Sequence, residues 1–145
     1  LIHYRTCVCN INYHMVWSVK YRRKILNQEI EEYLQKLVQQ IAEDKGFTVH
    51  LFECGEGDHV HCFVSAPPKL SITAIVKYLK GITGRKLFER FPEIRNQLWK
   101  GELWNHSYYV ESIHKDQSGI FQYHRAYVLC SIQTLEYLQL RTASP

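Results

Sequence analysis

His59 and His61 stand one residue apart, and their side chains have the clearest chemistry to offer. An imidazole nitrogen carries a lone pair that divalent metals accept. Alternate side chains of an extended segment project to one face. Both rings would then stand side by side, with Val60, Cys62 and Val64 facing the other way. One divalent cation could be held between them. On softness the pair suits Mn²⁺, Fe²⁺, Ni²⁺ or Zn²⁺. A substrate phosphate would add a hard oxygen and admit Mg²⁺. Asp58 immediately precedes the pair.

Basic residues are the second chemical signal. Lys+Arg number 18 against 14 Asp+Glu, a net charge of +4. That balance permits nucleic-acid binding without requiring it. The positive side chains are grouped, however. Lys20, Arg22, Arg23 and Lys24 surround Tyr21, while Lys77, Lys80, Arg85, Lys86 and Arg90 follow in a second group. We take Lys20, Arg22, Arg23, Lys24, Lys80, Arg85 and Lys86 as candidate phosphate contacts. The five cysteines are odd in number and include no C-x-x-C pair. That argues against a disulfide framework and a zinc knuckle, and makes a reducing cytoplasm the expected location.

These groups need a scaffold, and 145 residues predict a single domain spanning residues 1–145. At 46% hydrophobic and 22% charged residues, general disorder is excluded. No apolar run reaches the ~18 residues of a membrane span. Residues 13–21 alternate as a half-buried strand. Asn27 is placed to cap a helix reaching Lys45, with Gly46 as its stop; Ile30, Tyr33, Leu34, Leu37, Val38 and Ile41 form its apolar stripe. Strands are predicted over 47–54 and 59–66, joined by the Gly55–Asp58 turn. Ser71 should cap a second helix, weakened at Gly81 and Gly84, that resumes over 85–91. A fourth strand over 104–113 and a final helix over 118–140 complete the chain. The order β-α-β-β-α-β plus a helix predicts an α+β, ferredoxin-like (RRM-like) antiparallel sheet, with two helices on one face. The other face should be free to bind or react.

The run from Gly57 to Lys69, which contains Asp58-His59-Val60-His61, resembles the core motif of the HUH transposases. Residues 13–24 resemble the first strand and basic turn of the single-tyrosine transposases of small insertion sequences, a group with REP-type and TnpA members. Residues 75–81 resemble their second helix. Leu98-Trp99 and residues 103–110 resemble their fourth strand and its lead-in. The likeness spans roughly residues 8 to 113, with the motifs in order.

The resemblance implies a DNA transposase that acts on single-stranded DNA with hairpins at the element ends. It further implies that His59 and His61 hold a divalent metal, Mg²⁺ or Mn²⁺, and that a tyrosine forms a 5′-phosphotyrosine link. A homodimer with composite active sites is implied too. In this family the nucleophile lies on the last helix, usually with glutamine four residues later. No tyrosine here has Gln at that spacing. Tyr123 and Tyr127 remain as candidate nucleophiles. Gln117, Gln122, Gln133, Asp58 or water remain as candidates for the third ligand. The alternative is an inactive, ferredoxin-like hairpin-binding protein derived from a transposase. Plainer roles go to Trp17, Trp99 and Trp104 as core or subunit contacts, to Cys62 as core, and to His14, His50, His106 and His114 as surface or strand-face residues.

Overall fold

The structure is a computed structural model and describes residues 1–98 and 101–113. A short hairpin, β1 (Ile2–His3) and β2 (Val8–Cys9), precedes the main sheet and was not anticipated from the sequence. Strand β3 runs Asn12–Ser18, and helix α1 follows over Gln28–Lys45. The Asn27 side chain accepts from the Ile30 backbone N–H at 2.9 Å, and Gly46 closes the helix at φ 82. Both ends match expectation, because cap chemistry is local. Ile30, Leu34, Leu37, Val38 and Ile41 are buried.

Strands β4 (Thr48–Gly55) and β5 (His59–Ser65) flank the turn. Helix α2 covers Ile72–Arg90, and β6 covers Tyr109–Ile113. The four-stranded sheet has the order β4-β5-β3-β6, and every neighbouring pair is antiparallel. That order is the ferredoxin-like one. Met15, Trp17, Val60, Cys62 and Val64 pack with the apolar faces of α1 and α2 in one core. Among the described residues no helix is long and apolar enough to cross a membrane.

Three expectations change. The first main strand stops at Ser18 rather than 21. Val19 N–H donates to Asp58 O and Lys20 N–H to Leu103 O, so the chain leaves the ladder and turns over Lys20–Arg22. Helix α2 is unbroken through Gly81 and Gly84. Glycine costs roughly 1 kcal/mol in a helix interior, but Leu79, Thr83 and Leu87 are buried around them. The fourth strand starts at Tyr109 rather than 104. Trp104 makes only an isolated bridge to Val19, and the carbonyls of Asn105 and Ser107 accept from the Lys80 ammonium instead of a strand.

The face turned away from the helices is not bare either. His14, Val16, His61 and Phe63 are all buried there. Val16 and Phe63 are apolar and covered, so that face is not simply an open platform.

Candidate functional site

The extended backbone of β5 brings His59 and His61 to one face, with ring centroids 5.0 Å apart and planes at 75°. Asp58, at the end of the turn, reaches the first ring. His59 Nδ1 lies 2.7 Å from Asp58 Oδ1, and Arg22 Nη2 donates to Asp58 Oδ2 at 3.1 Å. A carboxylate here only accepts, so His59 carries its proton on Nδ1 and its lone pair on Nε2. Asp58, one of the candidates for the third ligand, thus uses both oxygens to orient its neighbours. Val19 N–H to Asp58 O and Leu26 N–H to Gly57 O clamp this turn against the basic segment.

Gly55 lies across from His59 in the β4–β5 ladder. A Cβ at Gly55 would be 2.5 Å from His59 Cε1 and closer still to Nε2. Only the missing side chain gives the His59 ring its seat.

His61 is 1% exposed. Burial, then the adjacent His59 and His14 rings, push its pKa down to about 3. It is therefore neutral near neutral pH, the form a metal ligand needs. His61 Nδ1 meets His14 Nε2 at 3.1 Å, and His14 Nδ1 meets Glu111 Oε1 at 3.1 Å. Of the two places expected for His14, surface or strand face, it takes the strand face and is fully buried there; burial lowers its pKa against the smaller opposing pull of Glu111. Cys62 points into the core as expected, and burial pushes its thiol up.

The donor set suits a divalent cation, with two buried imidazoles on one face and one held by a carboxylate. Among the described residues no group of three His, Cys, Asp or Glu side chains could hold a metal. Tyr123, Tyr127, Gln117, Gln122 and Gln133, like Trp99 and the helix expected over 118–140, lie outside the described residues.

The basic candidates separate by what they touch. Arg22 turns inward to Asp58, Lys20 pairs with Glu102, and Lys80 is held by two carbonyls while burial lowers its pKa to about 8. Lys86 reaches Glu89 at 3.6 Å. Arg23, Lys24 and Arg85 are exposed. Tyr21, in the left-handed region at φ 60, holds its ring outward beside the Lys20 ammonium. Trp17 and Trp104 are core residues, edge to face at 5.9 Å.

Sequence reasoning missed Gly55, His14, Glu111 and the inward role of Arg22. His14 shares strand parity with Val16 and Ser18, which was the one available signal. Nothing local tied Glu111 to it.

Residues 7–129 match the family model described as transposase, IS200 like. The chain is 37% identical over 118 residues to the ISDra2 transposase TnpA of Deinococcus radiodurans, covering 81% of this chain and 84% of the relative. It is 31% identical over 114 residues to the transposase for insertion sequence element IS200 of Salmonella typhimurium, covering 79% and 74%. A crystal structure of a transposase candidate from D. radiodurans R1 superposes with a TM-score of 0.75 at 30% identity, covering 92% of this chain and 97% of that one. A REP-associated tyrosine transposase bound to a REP hairpin shares the fold, with a TM-score of 0.55 at 13% identity over 81% of this chain and 66% of that one.

Proposed function

Because the chain belongs to the IS200-like transposase family, a family of enzymes acting on DNA, we propose that it cuts and rejoins single-stranded DNA at hairpin-bearing element ends. Mg²⁺ or Mn²⁺ is the proposed cofactor, and a tyrosine the nucleophile. The observation that carries this reading is the pair of buried imidazoles on one sheet face, 5.0 Å apart, with Asp58 locking the first.

His59 and His61 would hold the cation. When bound, it draws charge from a phosphate oxygen and stabilises the charge that develops there. Tyr123 or Tyr127 supplies the attacking hydroxyl. The family match runs to residue 129 and takes in both. The phenol gives up its proton as its oxygen bonds to phosphorus, the bond to the 3′ oxygen breaks, and that oxygen takes up a proton in turn and leaves as a hydroxyl. The covalent link conserves the phosphodiester for rejoining, so ATP is not needed. Exposed Arg23, Lys24 and Arg85 are suited to the DNA backbone, and the outward Tyr21 ring to an unpaired base. A homodimer with composite sites is part of the proposal.

The test is intact-mass analysis of the full chain after incubation with element-end hairpin DNA and Mn²⁺. A protein–DNA adduct is expected. His59→Ala and His61→Ala should abolish it and keep hairpin binding. Tyr123→Phe should also abolish it; survival there moves the nucleophile to Tyr127. Survival in the double tyrosine variant overturns the tyrosine mechanism. Hairpin binding with no adduct from the unaltered chain would favour an inactive, DNA-binding derivative.

A further inference from the structure

We propose that His14 and Glu111 form a relay that sets which nitrogen of His61 faces the metal, with His14 as a positioning residue. This rests on His61 being a metal ligand, as proposed above.

The relay crosses three neighbouring strands on one face: His61 on β5, His14 on β3 and Glu111 on β6. His14 lies directly opposite Glu111 in the β3–β6 ladder and one diagonal from His61, whose direct partner is Val16. Both nitrogen contacts are 3.1 Å. The His14 and His61 planes lie within 13° with centroids 5.4 Å apart. That spacing, with the nitrogens in hydrogen-bond range, describes two rings meeting edge to edge and not face to face. The face of His14 instead lies on Phe63, at 4.6 Å and 8°, which fixes its tilt. At the far end the Tyr109 hydroxyl donates to Glu111 Oε2 at 3.1 Å.

The proton positions follow from the partners. Glu111 Oε1 accepts, so His14 Nδ1 must carry a proton. One proton remains to be shared between His14 Nε2 and His61 Nδ1. Placing it on His14 makes an imidazolium at a fully buried position, which desolvation opposes. A cation bound at His61 would oppose that charge further. The proton therefore sits on His61 Nδ1 and is accepted by His14 Nε2. His61 then keeps its lone pair on Nε2, the same nitrogen that Asp58 selects on His59. Two separate carboxylates, one adjacent in sequence and one two strands across, prepare the two rings alike. Partners of this kind orient imidazole ligands at metal sites in general.

The experiment uses the full chain labelled with ¹⁵N-histidine, without metal, and reads the His61 tautomer by long-range ¹H–¹⁵N spectra. Mn²⁺ affinity is measured beside it. The unaltered chain should show His61 protonated on Nδ1. His14→Phe keeps a flat ring on Phe63 but offers no acceptor. It should move the His61 proton to Nε2 and weaken Mn²⁺ by about 10- to 100-fold. Glu111→Leu should do the same through a partly exposed position, and so decides the matter if His14→Phe does not fold. Glu111→Gln keeps a carbonyl acceptor and should retain the tautomer and most of the affinity. A folded His14→Phe or Glu111→Leu chain with the tautomer and affinity unchanged overturns the relay. Mn²⁺ affinity unchanged in His61→Ala would overturn the metal reading instead, while the metal-free spectra still decide the relay.

Discussion

An imidazole binds a metal only through a nitrogen that lacks a proton, so the partner of the other nitrogen matters as much as the ring itself. Asp58 serves His59 in that way, and Arg22 holds Asp58. Gly55 adds a steric condition. Its φ lies outside the left-handed region, so the backbone there would accept alanine, and the objection to a side chain is the His59 ring alone. Gly55→Ala should push that ring off Asp58 and weaken Mn²⁺ by about tenfold or more, with the circular dichroism of the fold unchanged. Calorimetric titration checks it, and affinity within twofold of the unaltered chain would remove Gly55 from the site. The spacing of His59 and His61 was readable as a pair because strand parity is a local rule. The seat at Gly55 was not, because it depends on which strand lies alongside and in what register.

At the scale of elements, α1 was fully readable. Its stripe, its Asn27 cap and its Gly46 stop all lie within the segment they shape. Helix α2 was misread as weakened because two glycines count against it in isolation. What holds it is outside it. Trp104 Nε1 donates to Thr83 Oγ1 at 2.8 Å, and the indole ring lies close beside Gly84. Thr83→Val keeps the shape but leaves the buried indole N–H without its acceptor. It should cost about 1–3 kcal/mol in urea unfolding, and Thr83→Ser should recover most of it. Equal stability of the valine variant would show that packing alone anchors Trp104. The same loop accompanies the late start of β6, where the carbonyls of Asn105 and Ser107 accept from the Lys80 ammonium.

Over the whole molecule, a net charge of +4 is too small to specify a ligand, and the distribution matters more. Several basic side chains that looked alike in sequence are already engaged by the protein itself. Hairpin binding should weaken as salt rises, because phosphate contacts release counterions. Arg23→Ala and Lys24→Ala should each lower the steepness of that dependence by about one. Lys20→Ala should change it less, since its ammonium is paired with Glu102. Binding titrations across a salt series check this, and a Lys20 effect as large as that of Arg23 would reverse the assignment.

Composition, periodicity and the run around His59 and His61 were enough to derive the α+β plan, the strand that carries the histidines and the transposase likeness. Each of these depends on residues close together along the chain. The arrangement around the histidines depends on contacts spanning 47 residues from His14 to His61 and 97 from His14 to Glu111. Such contacts exist only once strand order and register are set, and both follow from how the helices and sheet bury their apolar faces together. That is why His14 read only as a surface or strand-face residue and Arg22 as a candidate phosphate contact, while the buried carboxylate and the second imidazole that meet them came with folding.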